Sequence, residues 1–363
     1  MSYRHTPTGQ PTARAAAGPA YRRRGLTALS TATAAALLIS AALAATGTAT
    51  AAAAHSKAAG KTRASAAASA PVSLHVALVP STGALPAYLA LQRGYFKAAG
   101  LNVQISAVDS GPALLAGVIG GSYDIGGSAL LPDLIAVSKG APLKLVAVAT
   151  TEPPLTGKNA AAYAGNSAVL VRKDSPVRSY RELAGKTIAT NALTSLTTLA
   201  TDIAVAKQGG NPKTLKVVAL PFATAVQEVA EGKADAAVVL SPLSVQAEQN
   251  GLRTIGDPLG QDLPVNAPMG LFFTSSATST AKSAAITKFK TIIGRATLEL
   301  QNNPALQRQL AHTELGFSSA IAKRMPLAHF STTYSLAAAQ RYADLAAQFG
   351  FTQKPVDVKT IVR

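Results

Sequence analysis

GGSYDIGGS at residues 120–128 and EGKADAAVV at residues 231–239 share one pattern. In each, an apolar helical run stops at a glycine, an aspartate follows three residues later, and a short apolar strand begins. Gly121 with Asp124 and Gly232 with Asp235 punctuate the chain in the same way. Glycine closes a helix in a backbone region that other residues avoid, and aspartate forms turns by bonding nearby backbone. The repeat marks two corresponding units, each built as helix, turn and strand.

Outward from the first copy, the order is regular. LHVALVP (74–80) reads as a buried strand ending at Pro80, followed by a helix from about Leu85 to Lys97 that Gly100 ends. LNVQISAV is a strand, GPALLAGVIGG a helix, YDIGGS a strand, LLPDLIAVSKG a helix and LKLVAVAT a strand. Such alternation predicts parallel sheets with right-handed crossovers. SAVLVRKDSP interrupts it, and a second unit opens with YRELAGKTIATNA. That unit continues with a helix over Ser195–Gln208, the strand LKVVALP, a helix over Ala223–Glu231, the strand ADAAVVLS and the helix SVQAEQNG. MGLFFTS then reads as a strand returning to the first sheet. Thr280 to Phe349 is helical, broken at Asn302-Asn303-Pro304. The predicted fold is α/β and two-lobed. Lobe II (174–263) is inserted in lobe I (74–165 and 274–363), with hinge crossings at 164–173 and 264–275. In open α/β sheets, ligands bind beyond the carboxyl ends of the strands, so two facing lobes form a cleft for a small molecule.

Composition narrows the chemistry. The chain has 363 residues and a net charge of +17, with 48% hydrophobic residues but only 5% aromatics and no Trp. Its core must be built from Ala, Val, Leu and Ile. Eight of the 34 basic residues and none of the 17 acidic ones precede Leu74. Beyond Leu74 no basic run is interleaved with aromatics, which argues for a solvated basic face and against a nucleic-acid partner. The absence of Cys excludes disulfides, a thiol nucleophile and a lipid-modified Cys. His75, His312 and His329 have no metal-ligand spacing and read as surface or capping residues, so no metal or other cofactor is implied.

The first residues have the parts of an export signal. An acid-free region runs to Tyr21-Arg22-Arg23-Arg24, an apolar stretch (25–47) is densest at Ala34–Ala45, and A-x-A cleavage sites lie near Ala49–Ala54. The Arg cluster resembles a twin-arginine signal, and an ordinary secretory signal is the alternative. If uncleaved, the stretch is long enough for one membrane anchor. Residues 1–54 are thus assigned as signal and 55–73 as a flexible low-complexity linker. The expected location is periplasmic, extracellular or cell-surface, without a lipid anchor.

The order of motifs resembles a family. PAYLALQRGYFKAAGLNV (86–103), the Gly121–Asp124 turn, VLVRKDSPVRSYRELAGKTIAT (169–190) and ALPFATAVQEVAEGKADAAVV (219–239) are similar to landmarks of bacterial ABC-transporter solute-binding proteins for nitrate, sulfonates, taurine and thiamine-precursor pyrimidines. The resemblance covers roughly Leu74 to Thr280. It implies the type II periplasmic-binding-protein fold, a small-molecule ligand, an ABC permease as partner and a monomer. Leu240-Ser241-Pro242 departs from the aromatic or acidic residue frequent before that proline, so a different ligand is implied.

Candidate ligand contacts follow from strand ends. Ser81 and Thr82 precede a helix, where they bind an anion or cap the helix. Gly127 and Ser128 end YDIGGS, where glycine permits close backbone approach. Thr150, Thr151 and Glu152 lie at the end of the strand LKLVAVAT, with Glu152 placed either to meet an ammonium or ring N–H or to stand as a solvated hinge acid. Asn191, Thr194 and Ser195 lie where the family captures the polar head of its ligand, and helix N–H groups there need no cationic side chain. Phe222 stacks on an apolar ligand part or joins the core, Thr224 follows it, and Ser241 ends the repeat's second strand.

An enzyme is disfavoured. No triad, phosphate loop, metal cluster or paired carboxylates is recognisable, and no His lies near a predicted cleft loop. The family's pyrimidine-forming enzymatic branch resembles an enzyme with its own His and a Cys-rich motif, which a chain without Cys lacks. A secreted solute sensor without a transporter is a further alternative. The effector domain of a transcription regulator would need a helix-turn-helix where the export signal stands.

Overall fold

The computed structural model describes residues 70–157 and 160–362. The signal assignment and most of the linker lie outside the described residues. Ten strands form two sheets of five. The first holds β1 (Val72–Leu78), β2 (Leu101–Ala107), β3 (Ile125–Ser128), β4 (Leu143–Thr151) and β10 (Pro268–Ser275), in the order β2-β1-β3-β10-β4. The second holds β5 (Ser167–Arg172), β6 (Thr187–Thr190), β7 (Lys216–Ala219), β8 (Ala236–Leu240) and β9 (Leu252–Thr254), in the order β7-β6-β8-β5-β9. The two orders have the same form, and each repeat strand, β3 or β8, is flanked by a parallel strand and by one that arrives from the other lobe.

That arrival corrects the expectation of parallel sheets. β10 runs antiparallel to β3 and β4, and β5 antiparallel to β8 and β9. β10 begins at Pro268 opposite Thr151, the last residue of β4, and β5 begins at Ser167 opposite Leu240, the last residue of β8. A chain crossing between lobes enters each sheet at the carboxyl ends of its parallel strands, so it must run against them. β5 and β10 therefore belong wholly to the sheets, and the crossings expected at 164–173 and 264–275 lie earlier, at 152–166 and 255–267.

The Gly-x-x-Asp repeat acts as a register clamp. Gly121 and Gly232 adopt φ +79° and +73°, the left-handed turn expected of them. The Asp124 N–H donates to the His75 carbonyl (2.8 Å) while the His75 N–H donates to the Asp124 carboxylate (2.9 Å). Asp235 does the same with Thr187, at 3.0 and 2.8 Å. Each aspartate thus locks the start of its strand to the parallel neighbour, β3 to β1 and β8 to β6. Lys282 adds an ion pair to Asp124 at 2.8 Å.

Helices cover both faces of the first sheet. Leu85–Gln92 and Ser283–Gln301 pack one face around Phe96, Phe272 and Phe289, with Phe96 stacked on Phe289 at 5.3 Å. The single helix expected from Leu85 to Lys97 is two, because Gly94 turns left-handed (φ +69°) between Gln92 and Tyr95. Gly111–Ile119, Leu130–Ser138 and Leu336–Gln348 pack the other face. The same apolar cluster continues into the second lobe through Leu196, Leu199, Ala200 and Ile203. Among the described residues no helix is long and apolar enough to cross a membrane.

The two clamps differ in burial, with Asp124 17% and Asp235 41% exposed at the side chain. Asp124→Ala is expected to cost about 2 kcal/mol, the worth of charge-assisted bonds shielded from water. Asp235→Ala is expected to cost under about 1 kcal/mol because solvent screens it. Urea unfolding of both variants checks the order, and equal losses would contradict it.

Candidate functional site

The carboxyl ends of the two sheets meet around a cavity of about 130 Å³. Ten of the twelve residues expected at the cleft line it: Ser81, Thr82, Gly127, Ser128, Thr151, Glu152, Asn191, Ser195, Phe222 and Ser241. Thr194 is exposed on the loop before the helix Leu196–Lys207, and Thr224 sits half-buried in the helix Phe222–Ala230; neither lines the cavity.

On the first lobe, Ser81 occupies the N-cap of the short turn Thr82–Ala84, but its hydroxyl makes no capping bond. Its side chain is thus left for the cavity. Gly127 serves packing as well as approach, since a Cβ there would come within 2.5 Å of the Leu78 side chain. On the second lobe, capping and cleft lining coincide at Ser195. Its Oγ accepts from the Thr198 N–H (3.3 Å) and bonds the Thr197 and Thr198 hydroxyls at 2.8 and 3.0 Å. Thr197 in turn bonds Thr190 (2.6 Å) and donates to Asn191 Oδ1 (3.4 Å). This hydroxyl network fixes the first turn of a twelve-residue helix, whose free N–H groups form a partial positive charge at the cavity. Phe222 both lines the cavity and packs on the second-lobe core. Ser241 Oγ is buried beside the cavity without a hydrogen-bond partner.

Two side chains differ from expectation. Glu152 is 4% exposed and so is not a solvated hinge acid. Its N–H donates to the Ala267 carbonyl (2.9 Å), and its own carbonyl accepts from the Asn266 N–H (2.8 Å). The second crossing lies over it and removes it from water. Desolvation, with a smaller contribution from the Asp257 charge, pushes its carboxyl pKa up to about 9. His329, read from sequence as a surface or capping residue, lines the cavity instead. The segment carrying it is pinned along β4, with the Thr151 N–H donating to its carbonyl (3.0 Å) and Thr151 Oγ1 bonding its Nδ1 (2.9 Å). Burial lowers the His329 pKa, which favours the neutral ring. No carboxylate bonds His329 among the described residues, so Thr151 and His329 form a pair without the third member that orients a catalytic base. Asn166, Thr150 and Thr197 also line the cavity. Thr150 stands at the strand end read from sequence, whereas Asn166 and Thr197 depend on long-range packing and have no local sequence signal. No Lys or Arg lines it among the described residues.

The raised carboxyl makes stability depend on pH. The folded protein holds a proton at Glu152 that the unfolded chain releases, so this group's contribution falls as pH rises from about 4.5 to about 9. Glu152→Gln is expected to flatten that slope in denaturant titrations at several pH values. The difference between variant and parent separates Glu152 from Asp202, which burial raises to about 7. An unchanged slope would show that Glu152 is ionised in the fold.

A model of the family described as NMT1/THI5 like matches residues 81–306. Solved structures agree on the fold. The alkanesulfonate-binding protein SsuA from Xanthomonas axonopodis pv. citri, bound to MOPS, is 24% identical at TM-score 0.66, covering 81% of this chain and 99% of its own. The Candida albicans CA3427 gene product, described as having the generic periplasmic binding protein structural fold, is 16% identical at TM-score 0.66, covering 80% and 96%. The periplasmic nitrate-binding protein NrtA from Synechocystis PCC 6803 is 13% identical at TM-score 0.64, covering 80% and 84%. No match is found among curated proteins. With 226 consecutive residues of 363 matched and both lobes in the expected order, the chain belongs to the NMT1/THI5 like family.

Proposed function

We propose that the protein is an exported, monomeric solute-binding protein that captures a small organic solute or oxyanion between its lobes and delivers it to an ABC permease. The observation that carries this reading is the cavity itself, enclosed by the carboxyl ends of both sheets and lined by hydroxyls, amides and a helix N-terminus. Solute-binding proteins for alkanesulfonate and nitrate share its fold, which supports the reading. Crossings at 152–166 and 255–267 act as the hinge. A solute held by one lobe gains contacts with the other only on closure, so it shifts an open–closed equilibrium by its differential affinity. The closed face then docks on the permease. Ser81, Thr82, Ser128 and Ser241 contact the solute, with Asn191, Ser195 and the first N–H groups of Leu196–Lys207 taking its polar head.

A thermal-shift screen of sulfonates, nitrate, taurine, amino acids and pyrimidines tests the reading, since a ligand at a hundred times its Kd stabilises by about 2.7 kcal/mol. Asn191→Ala and Ser195→Ala are each expected to weaken the best ligand roughly tenfold, the value of one lost hydrogen bond. Ser195→Ala also loses a helix cap worth about 1 kcal/mol of stability. If both variants bind normally, the polar-head site is wrong.

A further inference from the structure

Glu152 and His329 are the ionisable side chains among the described residues that line the cavity. The Glu152 carboxyl has no hydrogen-bond or ion-pair partner among the described residues, although its backbone N–H and C=O are both tied to the second crossing. Those two bonds fix its backbone at the cleft. An unpartnered buried carboxyl is costly. The neighbouring groups do not relieve it. Asp257 already accepts from the N–H groups of Gly165, Ser167 and Gly260 and from the Ser167 hydroxyl, so its charge bears on Glu152 without a bond. His329 bonds Thr151 through Nδ1, and Tyr163 packs edge-on against its ring at 5.4 Å.

A protonated Glu152 can donate one bond to an oxyanion, which is repelled once the carboxyl ionises. A protonated amine gains a charge-assisted bond in a water-poor site, where such bonds are strongest, and it supplies the partner that Glu152 lacks. Asn191 and the N-terminus of Leu196–Lys207 line the same cavity and suit a polar or anionic head. The space of about 130 Å³ is near that of the roughly 150 Å³ cavity that accepts benzene. The guest is therefore small.

We propose, resting on the solute-binding reading above, that the natural solute carries a protonated amine and that Glu152 is the acceptor that selects it. Because Glu152 is protonated in the free protein at neutral pH, binding an ammonium leaves a carboxylate paired with the amine. One proton passes from Glu152 to solvent for each solute bound. His329, held neutral by burial, does not change state over the same range.

Calorimetry on the full chain tests this with two matched pairs, taurine against ethanesulfonate and β-alanine against propionate, with nitrate alongside. The aminated member of at least one pair is expected to bind at least roughly tenfold more tightly, the ratio for one charge-assisted bond. Its affinity should rise towards about tenfold between pH 7 and 8, and buffers of different ionisation heat should report one proton released. The unaminated partner should show neither effect. Glu152→Gln, which keeps the size and neutrality of the free side chain, should collapse the preference towards one. Equal or tighter binding of the unaminated members, or amine binding without proton release, overturns the proposal while leaving the solute-binding reading intact. If no probe binds, nitrate included, that reading falls and this proposal with it. Proton release is read on the parent protein, so the test stands even if the variant does not fold.

Discussion

The paired crossing at Glu152 is the constraint on which the architecture depends. Two segments pass between the lobes, and at this residue they hydrogen-bond to each other through both backbone groups. Asp257 fastens the second crossing to the start of β5 by accepting from Gly165 and Ser167. Because both segments pass through the cleft, β5 and β10 must join their sheets at the carboxyl ends and run antiparallel. The same requirement buries Glu152 beneath Asn266 and Ala267. Sheet polarity, cleft position and the burial of the one acid that lines the cavity among the described residues thus share a single cause.

The Gly-x-x-Asp clamps act at the other end of the strands. They fix where β3 and β8 begin relative to β1 and β6, and a short strand of four or five residues then delivers Ser128 or Ser241 to the cleft. A slip of one residue would turn every side chain of such a strand to the opposite face. Neither aspartate lines the cavity. Their effect on binding is through position alone, which is why the pattern repeats in both lobes although the residues it delivers have different neighbours.

Local chemistry made most of this legible from the residues. Glycine stops, strand alternation and the Asn302-Asn303-Pro304 break depend on a few neighbours, and most elements they mark occur where expected, the helix split at Gly94 being an exception. A helix starting at Ser195 was readable for the same reason, and the structure adds that Ser195 is its cap. What was not readable depended on distant chain. The direction of β5 and β10 follows from exchange between lobes. Glu152 is buried by residues more than a hundred positions later, and nothing near it in sequence distinguishes that from a solvated hinge. His329 lies in a non-helical segment (325–335) that interrupts the tail read as helical to Phe349; it has no motif, and only its pairing along β4 brings it to the cavity. Thr194 differs from Ser195 by one position, but the cap turns one side chain inward and leaves the other exposed.

The apolar cluster that continues from the first lobe into Leu196, Leu199 and Ile203 bears on how a solute could control closure. Opening the cleft would return part of that surface to water, and a fully buried leucine is worth about 2 kcal/mol. The closed arrangement therefore has a stabilising contribution of its own, independent of any guest. Against it stand the Ser241 hydroxyl, buried without a hydrogen-bond partner, and the Glu152 carboxyl, whose desolvation raises its pKa. The two contributions have opposite sign and similar scale. A small solute that partners those groups needs to supply only the difference, a few kcal/mol, to decide the population of the closed state. On the proposed solute-binding reading, the polar groups that closure desolvates are what would make a guest of this size sufficient to govern a whole-lobe equilibrium.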